Sequence, residues 1–448
     1  MQNESHIVVI GGSAAGLTAA LTARRHYPHK SVLIIRREQQ VPIPCGIPYI
    51  FGTLDGPERN LIPDAVLEKN DIDLLVDDAT ALDLDAKEVH TRAGRTVGYE
   101  KLVLATGSTP RRLPVPGSDL EGVYAVHKNV PHLTQMHTAM TDSERVVVVG
   151  GGFIGVEFAD ECNKDGAASV TIVEMLPRCL MLAFDEEFCE RAGELLESRG
   201  VRLATSRRVE RLEGNGRVET VVLGDGQSME ADLVLESVGV QPNSELAERS
   251  GLRLGPSGAI GVDRAMRSSD PDVFACGDCA EKVSFFTGEP APLWLASIAT
   301  TEARVAGANL YGITRSYPGA IGVYSTVIGD VAFATAGLTE SGAREAGFCA
   351  VAGRSSSVNR HPGGMPGANN LTLKLLFERQ TRVLIGGQLM GARSGGELIN
   401  TVSACIQQRM TADQIATFQT GTHPALTASP IAYQLVNAAE VAIGAMSG

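Results

Sequence analysis

One pattern occurs twice in this chain, and it constrains the fold more than any other feature. Val8-Val9-Ile10-Gly11-Gly12-Ser13-Ala14-Ala15-Gly16-Leu17 returns as Val147-Val148-Val149-Gly150-Gly151-Gly152-Phe153-Ile154-Gly155-Val156. Each copy is a short β-branched run, a glycine-rich turn and a helical pattern. Each is followed by a second apolar strand, Val32-Leu33-Ile34-Ile35 or Val170-Thr171-Ile172-Val173. The predicted unit is βαβ, present twice. A strand ending in such a turn points a helix N-terminus at a phosphate. The first glycine makes the turn, the second lets the backbone approach a pyrophosphate, and the third packs helix against sheet.

Two copies predict two dinucleotide sites in an α/β chain. Gly11, Ser13, Ala14, Ala15 and Gly16 are the candidates at the first, and Gly150, Gly152, Phe153, Ile154 and Gly155 at the second. Glu174 ends the second strand of the second copy, where a carboxylate can bind both ribose hydroxyls. It would repel a 2′-phosphate, so NADH is favoured over NADPH. The first copy departs from the pattern: Ser13 replaces the middle glycine, and the strand end carries Arg36-Arg37 with Glu38 just beyond. Its nucleotide is expected to be held differently at the ribose, with Arg36 and Glu38 as candidates.

The length of 448 residues allows two to four domains. Hydrophobic residues at 44% and charged residues at 20% are ordinary for globular chains and argue against disorder. A net charge of −13 makes nucleic acid a poor partner. The uncharged run Ile7–Ala23 resembles a signal peptide, but an acid, Glu4, stands where a signal needs positive charge. The run is also short for a membrane span. The tail from Ile431 lacks the basic face of a membrane anchor. Eight scattered cysteines fit a reducing compartment, so a soluble cytoplasmic protein is expected. Beyond residue 320, strand-like runs (320–327, 331–335, 371–377, 383–389) and helical patterns (340–347, 397–408, 430–441) read as a separate α+β domain. Residues 355–370, rich in Ser, Gly, Pro and Asn, read as a long loop.

These blocks resemble the flavoprotein disulfide reductases with two dinucleotide-binding domains. Ala105-Thr106-Gly107-Ser108-Thr109-Pro110 is similar to that family's crossover motif, and Val273-Phe274-Ala275-Cys276-Gly277-Asp278 to its second FAD fingerprint. Ser237-Val238-Gly239-Val240-Gln241-Pro242-Asn243 resembles the exit from its NAD domain. The resemblance implies FAD on the first turn, with Asp278 at the flavin ribitol and Ala105, Thr106, Gly107 and Gly277 nearby. It implies NADH on the second turn, with Gly239 nearby. It further implies three domains: FAD-binding (1–112 and 244–319), NAD-binding (113–243) and a C-terminal interface domain (320–448) that makes a homodimer.

The reaction centre implied is Pro42-Ile43-Pro44-Cys45-Gly46-Ile47-Pro48-Tyr49. Two-cysteine reductases place a second cysteine five positions after the first; here that position is Ile50. The chain therefore resembles the single-cysteine branch: coenzyme A disulfide reductases, NADH oxidases and peroxidases, and NADH-dependent persulfide reductases. In that branch the cysteine cycles between thiolate and mixed disulfide, persulfide or sulfenate. An ordinary thiol titrates near about pH 8.5, so Cys45 needs help to ionise, expected from a helix N-terminus and an electron-poor ring.

A leaving thiolate needs an acid. Thr422-His423-Pro424-Ala425-Leu426-Thr427 resembles the family's C-terminal His-Pro block, with Ala428 where a Glu is usual, so His423 is one candidate. Coenzyme A disulfide reductases use a tyrosine in a Tyr-Pro-Gly-Ala run. Here that run is Met365-Pro366-Gly367-Ala368, and His361 is the stand-in.

Arg24, Arg25, Lys30, Arg36 and Arg37 form a basic cluster that would suit the phosphates of coenzyme A, a solvated helix face, or the FAD pyrophosphate. Pro44 and Tyr49 flank Cys45 as substrate contacts, and the apolar Val41 and Pro44 suit a smaller oxidant equally. No rhodanese-like extension follows, which weakens a full persulfide reductase role. Cys276-x-x-Cys279 encloses Asp278 and has no second pair at zinc spacing, so no metal is expected. Cys162, Cys179, Cys189, Cys349 and Cys405 are expected to be packing residues. The expected activity is NADH-driven reduction of a small disulfide, persulfide or polysulfide at Cys45. The alternatives are an NADH oxidase or peroxidase working through Cys45 sulfenate, and a low-turnover redox-sensing flavoprotein.

Overall fold

The structure, a computed structural model, describes residues 4–166 and 168–447. Met1–Asn3, which precede the signal-like run Ile7–Ala23, Ala167, and Gly448 of the tail lie outside the described residues. The chain forms two compact units. One comprises the chain up to Pro114, Tyr124–Asp142 and Val238–Ala320; the other comprises Val115–Val123, Ser143–Ser237 and the chain from Ile321.

In the first unit, parallel strands run side by side in the order Asp73–Val76, Val32–Arg36, Glu4–Ile10, Thr96–Leu104, Val273–Ala275. Ile10 stands opposite both Ile35 and Leu104. Ile7, Val8, Val9, Leu102, Val103 and Leu104 are wholly buried. Both faces of the sheet are covered, so its strands read as unbroken apolar runs. The helix Ala14–His26 packs against Ala296–Asn309 through Ala19, Ala20, Ala23, Ala303, Ala306 and Gly307. A Cβ on Gly307 would lie 2.6 Å from the Ala19 carbonyl oxygen, so this crossing depends on small residues.

In the second unit, Leu233–Glu236, Arg145–Val149, Ser169–Val173 and Arg202–Ala204 form a parallel array, with Val149 opposite Val173 and Glu236. The C-terminal part is an antiparallel sheet in the order Val323–Ile328, Val331–Gly337, Leu384–Gly391, Asn370–Glu378, Ala350–Val358. Helices Gly395–Gln407 and Gln434–Ser447 pack on it. Two Rossmann-like sheets and a C-terminal α+β layer are thus as the sequence predicts.

Two local expectations fail. The Ser/Gly-rich segment is not a loop from residue 355: a strand runs Ala350–Val358, paired residue for residue with Asn370–Glu378. Its small residues serve packing, since a Cβ on Gly353 would overlap the Ala438 carbonyl of the last helix. The helical pattern from residue 430 is a 3-10 turn, Pro430–Ala432, with the helix starting at Gln434.

Within the second unit a buried lysine ties the parallel array's Asp185-Glu187 segment to the C-terminal sheet. Lys374 Nζ lies 2.8 Å from Asp185, 2.9 Å from Glu187 and 2.9 Å from Glu340. Asp185 also accepts from Gln388 Nε2 at 2.7 Å and from the Glu340 N–H at 2.9 Å.

Candidate functional site

The first glycine turn is shaped by what a side chain would strike. Gly11 has φ +112°, and a Cβ there would overlap the Ala105 carbonyl; a Cβ on Gly16 would overlap the Gly11 carbonyl. Ser13 enters the helix in extended conformation and makes no capping bond with its side chain. The helix N-terminus at Ala14 and Ala15 therefore keeps backbone donors for an anion. Gly277, at φ +79°, packs on Ala15, where a Cβ would lie 2.7 Å from the Ala15 Cβ. The fold thus brings both FAD-type blocks to one place.

Asp278 follows directly. Its carboxylate accepts from Ser108 Oγ at 2.7 Å and Lys128 Nζ at 3.2 Å. Burial pushes its pKa up, but Lys128, the Ser108 bond and Lys282 outweigh this and hold it below the usual carboxylate range. It is an ionised acceptor suited to a polyol. Lys128 escapes sequence reasoning because it lies in no motif. Beneath the turn, Lys282 donates to the Gly277 carbonyl at 2.7 Å and to Glu302 at 3.0 Å, while Glu302 accepts the Gly277 N–H at 2.9 Å. Burial raises the Glu302 carboxyl to about 7, with Lys282 opposing.

The crossover strands Ser108–Pro110 and Val240–Pro242 pair antiparallel. Asn243 fastens them: it accepts from Thr109 Oγ1 at 2.7 Å and from Thr106 Oγ1, through its carbonyl, at 2.6 Å, and donates to the Thr106 carbonyl at 2.9 Å. Gly239 belongs to this clasp, its carbonyl accepting the Arg111 N–H at 2.9 Å. Gly107 and Gly239 have no atom near a would-be Cβ.

Arg36 is not free for a ribose. It is buried, donates twice to Asp64 at 2.7 Å, and reaches the Glu38 and Gln39 carbonyls at 2.8 and 2.9 Å. Its stem fills the space beside Gly12, where a Cβ would lie 2.5 Å from Arg36 Cδ. Glu38 sits 3.5 Å from Arg37 Nε. The basic cluster is likewise mostly committed. Arg24 donates to the Pro28, Lys30 and Asp71 carbonyls, and Lys30 to Glu100 at 2.6 Å. Arg25 stays exposed.

At the second turn, Gly150 has φ +107°, a Cβ on it would overlap the Ser237 carbonyl, and one on Gly155 would overlap the Gly150 carbonyl. Gly152 faces open space. Glu174 is buried and accepts the Gly151 N–H at 2.6 Å and the Leu176 N–H at 2.7 Å. Its carboxylate is therefore fixed against the turn. Phe153 stacks on Tyr324, centroids 4.7 Å apart at 5°, and Ile154 is exposed.

Cys45 is exposed on a 3-10 turn, Pro44–Gly46. Ile50, at the second-cysteine position, is wholly buried. The next element is another 3-10 turn, Pro48–Phe51, with Tyr49 half-buried. The helix N-terminus expected to aid Cys45 is thus only one turn long, and the dipole of so short an element is small.

His361 and His423 stand on two loops that the fold brings together. The His361 N–H donates to the Pro424 carbonyl at 3.1 Å, and Nδ1 lies 3.1 Å from the Thr427 carbonyl. A carbonyl only accepts, so Nδ1 carries the proton and Nε2 is free to accept one. His423 is the reverse: its Nδ1 accepts the Ala425 N–H at 3.2 Å, leaving the neutral ring's proton on Nε2.

Cys276 and Cys279 are wholly buried, and burial pushes both thiols up. Cys162, Cys179 and Cys189 are buried and raised to about 12 by the same cause. Cys349 is exposed, so it is not the packing residue expected. Among the described residues no group of three or more His, Cys, Asp or Glu could hold a metal ion. No described helix is long and apolar enough to cross a membrane.

Residues 5–302 match the pyridine nucleotide-disulphide oxidoreductase family, and residues 323–431 match its dimerisation domain. A Methanocaldococcus jannaschii protein named NADH oxidase is 30% identical over 92% of this chain and 93% of its own. A Pyrococcus horikoshii NAD(P)H coenzyme A polysulfide/persulfide reductase is 32% identical over 86% of this chain and 87% of its own. Among solved structures, a NAD-dependent persulfide reductase from A. fulgidus superposes with a TM-score of 0.91 at 32% identity, covering 99% of this chain and 84% of that one.

Proposed function

The chain belongs to the pyridine nucleotide-disulphide oxidoreductase family, an FAD-dependent family, and from that premise we propose that it uses NADH to reduce a low-molecular-weight disulfide, persulfide or polysulfide at Cys45. The observation that carries this reading is one exposed cysteine on a turn whose would-be partner position holds the buried Ile50. No cysteine stands at the position that pairs with it in the two-cysteine reductases, and the disulfide partner assigned here to Cys45 is the substrate's sulfur.

The residues present fit FAD. Gly11, Gly12 and Gly16 have no room for side chains, the helix N-terminus that follows Ser13 offers backbone donors to a pyrophosphate, and Asp278 is an ionised acceptor for ribitol hydroxyls. The Gly150–Gly155 turn and Glu174 receive NADH, Glu174 disfavouring a 2′-phosphate. When bound, FAD supplies the two-electron relay between nicotinamide and sulfur.

The Cys45 thiolate attacks one sulfur of the oxidant. A bond forms to Cys45, the original sulfur–sulfur bond breaks, and the outer sulfur leaves as thiolate and takes a proton. Two electrons from NADH then cleave the mixed disulfide, releasing the second thiol and restoring the Cys45 thiolate. The balance is NADH, one proton and one disulfide giving NAD+ and two thiols. A histidine of the second subunit protonates the leaving sulfur. His361 suits this better than His423, because the carbonyl at Nδ1 orients the ring and leaves Nε2 to shuttle the proton. With Arg24, Lys30 and Arg36 committed to protein partners, the cluster offers coenzyme A few free cations, which favours a smaller sulfur oxidant.

The NADH oxidase relative favours a second reading, in which peroxide, added or formed from oxygen with two electrons from NADH, oxidises Cys45 to sulfenate and leaves as water. Anaerobic stopped-flow separates the two. The NADH-reduced protein is mixed with polysulfide, coenzyme A disulfide or peroxide, alongside Cys45→Ser. Fast reoxidation by a sulfur oxidant that Cys45→Ser abolishes is expected. Reoxidation only by peroxide or admitted oxygen would move the assignment to the second reading. Cys45-independent reoxidation by every oxidant would refute both.

A further inference from the structure

Several contacts meet on the turn that carries Cys45. The Ile43 carbonyl accepts the Gly46 N–H at 3.0 Å, which closes the turn. The same carbonyl accepts a hydrogen bond from Asn60 Nδ2 at 2.9 Å. A carbonyl only accepts, so the amide nitrogen of Asn60 must face Ile43 and its oxygen must face away. That oxygen lies against Gly46, where a Cβ would overlap it. The planar amide thus spans the turn from its first residue to its last, with Cys45 between. The main chain of Asn60 holds the same place: its carbonyl accepts the Ile43 N–H at 2.9 Å, and its own N–H donates to the Pro57 carbonyl at 3.0 Å. Beyond it, Leu61 and Ile62 pair with Pro42 and Val41. Asn60 is 3% exposed, so water cannot readily replace its amide.

We infer that Asn60 is the positioning residue for Cys45: its side-chain amide fixes the Ile43–Gly46 turn and so the direction in which the thiol points. The inference rests on the reading of Cys45 as the reacting sulfur. Glycine is required at residue 46 because Asn60 occupies the space a side chain would take. Aspartate at residue 60 keeps the size but turns an oxygen against the Ile43 carbonyl and adds negative charge beside the thiol. Both effects oppose a thiolate there.

The test is the rate of iodoacetamide alkylation at Cys45 in the full-length, FAD-loaded protein, from about pH 5 to about pH 10. The Cys45 peptide is quantified by mass spectrometry, because Cys349 is exposed as well. Asn60→Asp is expected to slow alkylation at neutral pH about tenfold and to move the profile up by about one pH unit. Asn60→Ala should slow it less. Gly46→Ala should slow alkylation in the wild-type background and have a smaller effect beside Asn60→Ala, where the obstructing oxygen is gone. Wild-type rates and profiles in both Asn60 variants at full FAD content would overturn the inference. So would a Gly46→Ala effect of equal size in the two backgrounds, and that cycle decides the matter should Asn60→Asp lose FAD. Alkylation needs no turnover. If Cys45→Ser keeps sulfur-dependent turnover, the functional reading falls while the Asn60 result still stands or falls by alkylation. If Cys45→Ser is inactive and the Asn60 variants alkylate as wild type, only this inference falls.

Discussion

Replacing Lys374 with Met keeps the length of the buried side chain and deletes its charge, leaving Asp185, Glu187 and Glu340 facing one another. The cost can be apportioned from exposure. The Glu187 and Glu340 side chains are 36% and 47% exposed, so water screens them, and each lost pair is worth up to about 1 kcal/mol. The Asp185 side chain is 8% exposed, and stripping the partner from such a charge costs roughly 3–5 kcal/mol. Asp185 keeps its bonds from Gln388 and the Glu340 N–H, which puts its share at the low end. The sum is about 4 kcal/mol, or roughly 8–16 °C in the melting temperature of a unit this size. The loss should depend on pH with a definite sign. In the native protein burial pushes the Glu187 carboxyl up, but Lys374 outweighs it and holds the pKa below its ordinary value. That contribution is present above the ordinary carboxylate range and is lost as pH falls through the lowered native value. The Lys374 pKa is raised: burial opposes the charge, but the three carboxylates prevail. Its contribution disappears only in strong alkali. In Lys374→Met, protonation relieves the carboxylates, so the gap between the two proteins should be widest near neutrality and should narrow towards about pH 4. Calorimetry of both proteins across that range checks this. A gap below about 1 kcal/mol at neutrality, or one that widens on acidification, would refute the reasoning.

Three further outcomes are expected. His361→Asn should slow release of the outer sulfur about tenfold or more and flatten its pH profile, whereas His423→Asn should change it less than about threefold; rapid-quench measurement of the released thiol distinguishes them. Glu174→Gln should raise the ratio of kcat/KM for NADPH over NADH by about tenfold, read from steady-state kinetics, and an unchanged ratio would remove Glu174 from cofactor choice. Gly353→Val drives a side chain into the main chain of the last helix and should destabilise by about 3 kcal/mol. Hydrogen exchange at residues 434–447 should report the loss first.

The parts of this fold legible in the sequence are those whose causes are local. The two glycine turns declare themselves because their first and last glycines each answer a nearby carbonyl: Gly11 and Gly16 those of Ala105 and Gly11 in one copy, Gly150 and Gly155 those of Ser237 and Gly150 in the other. The parallel strands are legible because burial on both faces writes them as unbroken apolar runs. The strand Ala350–Val358 is not, because its serines and Gly353 carry the composition of a loop while the last helix demands small residues there. Cys45 and both histidines could be picked out through the motifs that resemble the family's. The contacts around them could not, since Asn60 at the Cys45 turn and the Thr427 carbonyl at His361 act across distances in sequence with no pattern attached, as Lys128 does at Asp278. The surroundings of Arg36 are illegible for the same reason: Asp64, which takes up its charge, stands 28 residues further on.

The stripe of alanines joining helices Ala14–His26 and Ala296–Asn309 bears on how the protein is made. The first strands and helix leave the ribosome early, yet the strand Val273–Ala275 and the helix that cover them come nearly three hundred residues into the chain. At roughly 5–20 residues per second, the chain between Leu104 and Val273 takes about 10–30 s to synthesise. Through that interval the nascent protein holds one flank of its sheet and one face of its first helix without their partners, and closure of the FAD-side unit waits for the far segment to emerge.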